Sequence, residues 1–80
     1  MELHARLKIN HKSRNQLNCK KAKIIGKRGS IIRYLKKKYS CKLDLKGKYI
    51  LVGSNQENTD NFYSLCKLIM GVIRTGKKFF

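Results

Sequence analysis

Eighty residues with 41% hydrophobic content supply one thin core. A domain of this size buries only about 60–65% of the surface its unfolded chain exposes, which excludes a deep cleft between two domains. Twenty Lys and Arg against four Asp and Glu leave a formal net charge of +16, a balance that points to a polyanionic partner.

Residues 3–9 alternate, with Leu3, Ala5, Leu7 and Ile9 on one side and His4, Arg6 and Lys8 on the other. That period of two predicts a half-buried strand. Ser13 followed by Gln16 fits a capping box, and Leu17 and Ile24, with Cys19 or Ala22, give a weak apolar stripe; a helix is expected over 14–25. After the GKRG turn, Ser30 is placed to cap a second helix of about ten residues. Ile31, Ile32, Leu35 and Tyr39 form its apolar face, and Arg33, Lys36, Lys37 and Lys38 surround it.

Cys41, Leu43 and Leu45 then alternate with Lys42 and Asp44 as a second strand. Lys46-Gly47-Lys48 makes a tight connection into a third, so 41–52 is expected to be a hairpin. Tyr49-Ile50-Leu51-Val52 is apolar throughout, so periodicity does not say which of its faces points inward. Ser54 with Glu57 is a further capping box, and Asp60 adds negative charge to the first turn. Phe62, Leu65, Cys66, Ile69, Val72 and Ile73 recur at helical spacing, ahead of Gly76 as a helix stop and a basic tail over 75–80. The expected architecture is α+β, with a three-stranded antiparallel sheet covered on one face by three helices in a single domain, 1–80.

Charge is concentrated along the chain. Residues 11–48 hold 14 basic residues and one acid, a net +13, whereas the other 42 positions hold six basic and three acidic residues, a net +3. The alternatives to nucleic acid are a merely solvated face and an anionic membrane. A membrane-surface helix needs one basic amphipathic segment with bulky aromatics opposite; here the charges span several elements. No run of about 18 or more apolar residues could cross a bilayer. The start, MELHARLKIN, also lacks the apolar centre of a secretory signal, so an intracellular protein is expected.

Cys19, Cys41 and Cys66 contain no CxxC pair, and His4 and His11 stand at no usual zinc spacing. Reduced thiols are expected, with no metal and no cofactor. None of the four carboxylates pairs with a histidine or cysteine in a nucleophile–base spacing, so no enzyme and no small-molecule substrate is expected.

The stretch Ile25-Gly26-Lys27-Arg28-Gly29-Ser30 carries the sharpest signal. Glycine permits positive φ and close backbone approach. A turn that opens a helix also presents free amides and the positive dipole end to an anion. Gly26 and Gly29 are spaced wrongly for a phosphate-binding P-loop, and no G-x-G-x-x-G fingerprint is present. A GxxG alone is weak; its place between two helices gives it meaning.

IIGKRGSIIRYL, residues 24–35, resembles the I-I-G-x-x-G-x-x-I-x-x-L/I signature of the KH domain. The elements that follow match the type I order, βααββα. The resemblance implies a module that clamps about four nucleotides of single-stranded RNA. Gly26, Lys27, Arg28 and Gly29 would hold phosphates, with Ser30 completing the set. Ile24, Ile25 and Ile32 would floor an apolar groove closed by Leu43 and the Lys46-Gly47-Lys48 loop. Arg33, Lys36, Lys42 and Lys48 would flank it as phosphate contacts. The isoleucines are equally explained as core, and the four tyrosines as core or surface; KH grooves hold bases on aliphatic surfaces, so no tyrosine is assigned to stacking.

A narrower resemblance joins ILVGS (50–54) and LIMG (68–71) to the KH domain of small-subunit pre-ribosomal assembly factors of the partner-of-Nob type. It implies precursor ribosomal RNA, other assembly factors or ribosomal proteins as partners, and a nuclear, nucleolar or cytoplasmic setting. Complete members are longer and carry a divergent KH-like domain first, so the resemblance implies a fragment or a reduced version. The competing expectation is a structural ribonucleoprotein component that lays its basic surface on folded RNA and leaves the groove unused.

Overall fold

The computed structural model describes residues 2–75; Gly76 as a helix stop and most of the basic tail lie outside them. The elements run β1 (Glu2–Lys8), α1 (Arg14–Ile25), a 3-10 turn (Lys27–Gly29), α2 (Ser30–Tyr39), β2 (Lys42–Lys46), β3 (Tyr49–Asn55), a second 3-10 turn (Gln56–Asn58) and α3 (Thr59–Thr75). The sheet is antiparallel throughout in the order β1-β3-β2, so the last strand in sequence is central.

Register settles the faces of 49–52. Lys46 pairs with Tyr49 across a two-residue loop, and Gly47 takes φ 56° while Lys48 stays at negative φ. That is the type II′ pattern, which suits the strands' twist. The pairing then sets Leu45 beside Ile50 and Leu7, and Leu43 beside Val52 and Ala5. The charged residues of β2 must face water, so Ile50 and Val52, 1% and 2% exposed, turn inward. Tyr49, Leu51 and Gly53 are left on the outer face.

All three helices cover the inner face. Ile24 from α1, Leu35 from α2 and Phe62, Leu65, Ile69 and Ile73 from α3 meet Ile9, Leu43, Ile50 and Val52 in one core. Each fully buried aliphatic side chain contributes about 1.5–3 kcal/mol. Of the expected stripe of α1, Ile24 is buried and Leu17 half-buried, but Cys19 and Ala22 are both exposed, so the helix is held to the core near its two ends and not along a face. At its start Ser13 Oγ accepts from the Gln16 amide at 3.2 Å, as expected, but the Gln16 side chain reaches back to the Lys12 amide instead of that of Ser13.

The Ser54–Glu57 capping box does not form. Ser54 still belongs to β3, and α3 begins at Thr59. Ser54 instead joins a clasp around Asn58 that ties the C-terminus of α2 to the entry of α3. Asn58 Nδ2 donates to the Tyr39 carbonyl at 2.7 Å, to Ser54 Oγ at 2.9 Å and to the Ser40 carbonyl at 3.2 Å. Asn61 Nδ2 donates to Asn58 Oδ1 at 2.8 Å. The clasp sits where α2 stops on a left-handed Ser40, at φ 51° and ψ 43°, a conformation that glycine usually supplies. Replacing Asn58 with Ala is expected to cost about 1–3 kcal/mol in a urea melt, because it strands helix-end carbonyls. A loss near zero would show that water replaces the clasp.

Candidate nucleic-acid interface

Helix α1 ends because Gly26 takes φ 75° and ψ 179°, a region essentially restricted to glycine. Its amide donates to the Ala22 carbonyl at 2.8 Å. A Cβ at Gly26 would lie 2.5 Å from Ile31 Cγ1 and 2.8 Å from the Ile31 amide nitrogen, so its backbone is pressed against the first turn of α2. The chain then makes its 3-10 turn with Arg28 left-handed (φ 56°, ψ 30°) and Gly29 left-handed (φ 75°, ψ 16°).

Two loop amides are used internally: Gly29 donates to the Gly26 carbonyl at 3.2 Å and Ser30 to that of Lys27. Among the described residues no backbone carbonyl accepts from the Lys27 or Arg28 amide. Ser30 is not the N-cap expected from sequence. It has helical φ and ψ, and Gly29 occupies the cap position with no side chain to offer. The second glycine's left-handed turn starts the helix one residue earlier than a serine cap would.

The side chains sort into three groups. Lys27 and Arg28 are exposed, and the Arg33 guanidinium folds back over the loop, with Nη1 3.6 Å from where a Gly29 Cβ would stand. Ile25, Ile31 and Ile32 are half-buried beside it, and Lys36 is exposed one turn further along α2. These residues are brought together. Ile24 is not among them: it is 0% exposed, so it serves the core alone and offers no surface to a base. Leu43 is corrected in the same way, 7% exposed on the inward face of β2. Leu45, one pleat nearer the hairpin on the same face, keeps partial exposure; alternation alone does not distinguish it from Leu43. Lys42 and Lys46 stand on the outer face, paired beside Gly53 and Tyr49, and so point away from the helices that carry the loop. Lys48 is exposed in the hairpin turn, its Nζ 5.9 Å from the Tyr49 ring centroid.

No Asp or Glu occurs anywhere in residues 3–43, so the loop and both flanking helices have no acidic side chain of their own to neutralise them. On the far side of α2, the hydrogen bond to Tyr34 and the nearby Tyr34 and Tyr39 hold Lys38 above the usual lysine range. Cys19 is exposed, Cys41 buried and Cys66 half-buried; burial, with Cys41 adding to it, pushes the Cys66 thiol up. Among the described residues no three His, Cys, Asp or Glu side chains gather as a metal site, and no helix is long and apolar enough to cross a membrane.

No protein-family model and no curated protein matches the sequence. Among solved structures, Dim2p from Pyrococcus horikoshii OT3 aligns with 95% of this chain at a TM-score of 0.69 and 13% identity. The chain corresponds to 43% of the length of that Dim2p chain. The fold is the type I KH fold. Its GxxG turn lies at the α1–α2 corner, and the βααββα order is complete.

Replacement of either glycine by Ala separates close approach from backbone preference. Gly29→Ala makes only ordinary contacts, with Arg33 Nη1 at 3.6 Å and Ile32 Cγ2 at 3.8 Å, and is expected to cost about 1–2 kcal/mol for its left-handed φ. Gly26→Ala is expected to cost more, adding a clash with Ile31 to backbone strain of about 1–3 kcal/mol. Chemical denaturation ranks the two, and equal losses would contradict the close approach.

Proposed function

We propose that this chain is an RNA-binding module that clamps about four nucleotides of a single strand across its GKRG corner. One observation carries the reading: two amides with no backbone acceptor among the described residues, three guanidinium or ammonium groups and a half-buried isoleucine surface converge there without an acid nearby. The amides of Lys27 and Arg28 with their side chains hold successive phosphates, and Arg33 closes over them. Ile25 and Ile32, with Leu45 from β2, present the aliphatic surface on which unpaired bases lie. Duplex RNA keeps its bases stacked away from such a surface, so the groove selects single strands.

Within that reading, the target is precursor ribosomal RNA in small-subunit assembly, with assembly factors or ribosomal proteins as neighbours. The ILVGS and LIMG segments support this through their resemblance to assembly-factor KH domains. A second reading has its own support, because cations also cover α1, α2 and the outer sheet face. A structural ribonucleoprotein component would use that whole surface on folded RNA.

Lys27→Asp with Arg28→Asp is expected to keep the fold and abolish binding to short single-stranded oligonucleotides, measured by fluorescence anisotropy. Undiminished binding by the double variant sinks the clamp. A salt titration separates the two readings: three or four phosphate contacts predict a log–log slope of about −2 to −3. A much steeper slope favours the broad surface.

A further inference from the structure

The face of the sheet turned away from the helices carries a second constructed surface. Strand register places four rows on it: Lys8, Tyr49 and Lys46; Arg6, Leu51 and Asp44; His4, Gly53 and Lys42; and Glu2 with Asn55. The middle column has a gap where Gly53 carries no side chain, and a depression of about 380 Å³ opens there. His4, Arg6, Lys42 and Asp44 stand at its corners, over a floor of Leu51 and the Gly53 backbone. Adjacent strands are about 4.7–4.9 Å apart, so the flanking side chains of β1 and β2 stand roughly 10 Å from one another. That leaves room for a flat ring lying on the β3 backbone. Beside the depression the Arg6 guanidinium is 4.8 Å from the Tyr49 ring centroid, a pre-stacked cation and aromatic pair.

We propose that this outer face is a second contact surface for the same single strand, seating one unpaired base over Leu51 and Gly53 and holding the adjoining phosphates with Arg6, Lys8, Lys42 and Lys46. The inference rests on the RNA-binding reading. Its occupant follows from charge: four cations stand against two acids, Asp44 and Glu2, whose carboxylate lies 3.4 Å from His4 Nε2, and the surplus favours a polyanion. Packing a second copy on this face would set its cations against identical ones. A flat apolar floor next to a guanidinium-stacked ring suits a base, which offers a π-face whatever its identity. Asp44 does not cancel the field, and one of its oxygens already accepts from the Leu45 amide at 2.9 Å. Continuity with the clamp comes from topology. Strand β2 is an edge strand that packs against α2, so an RNA strand leaving the groove has only β2 to cross before it meets Lys42 and Lys46.

Gly53→Val tests the depression without disturbing the fold. Gly53 lies outside the left-handed region, and a Cβ there meets His4 Nδ1, the Leu3 carbonyl and Lys42 Cβ at ordinary contact distances of 3.6, 3.7 and 3.8 Å. Arg6→Ala is the companion variant. Each is titrated with fluorescein-labelled mixed-sequence RNA tetramers, which fill the clamp, and decamers, which reach both surfaces. Loss of one stacked base predicts decamer binding weakened about fivefold or more. Separate sites predict tetramer binding within about twofold of wild type. Decamer affinity unchanged in both variants overturns the second surface, as does a wild-type dimer that Gly53→Val converts to monomer in sedimentation. The two readings fail separately. Tetramer binding that survives Lys27→Asp with Arg28→Asp removes the clamp, whereas a decamer that still responds to Gly53→Val keeps the outer face.

Discussion

The corner at Gly26 determines where everything else in the site can go. With Ile31 atoms 2.5–2.8 Å from where a Cβ would sit, no other residue lets α1 end and α2 begin at this separation. The resulting turn drives Ile24 wholly into the core while leaving Ile25 and Ile32 half-covered at the rim. It also leaves the Lys27 and Arg28 amides without a backbone carbonyl among the described residues. Polar backbone left unsatisfied at a helix start is tolerable only in contact with water or an anion. The loop therefore stays in solvent and receptive, and the bulk of its charge cannot be withdrawn.

Central strand β3 separates two chemistries with one backbone. Ile50 and Val52 seal the core, while Tyr49 and Leu51 are half-exposed on the opposite face, which the buried Gly53 shares. A slip of one residue in the Lys46–Tyr49 pairing would exchange the two sets. The two-residue turn at Gly47 is what prevents it, and a strand apolar at every one of positions 49–52 gives no other indication of which way to face.

Much of this was legible in sequence wherever a pattern has a single physical solution. Alternation over 3–9, the helical spacing of 62–73 and the GKRG turn ahead of the amphipathic stretch 30–39 each form as expected. Where two local solutions compete, tertiary contacts chose. Ser30 and Ser54 both satisfy the rule for a helix cap, yet left-handed Gly29 starts α2 earlier and Asn58 recruits Ser54 into the clasp. The site was legible at residues fixed by the loop itself and less so on β2. Lys42 and Lys46 look like flanks of the groove until the hairpin register turns them to the other face. Leu43 and Leu45 are chemically alike, and only the depth of the core separates them.

The strand order β1-β3-β2 also has a kinetic meaning. The corner at Gly26 and the hairpin close through neighbours a few residues apart, whereas β1 must find β3 across the whole of α1, α2 and β2. Closing that long loop is the slow, entropically costly step. The loop clamp is thus built from contacts local in sequence, whereas the outer face, which needs Arg6 and Lys8 from β1, depends on the most distant pairing in the chain.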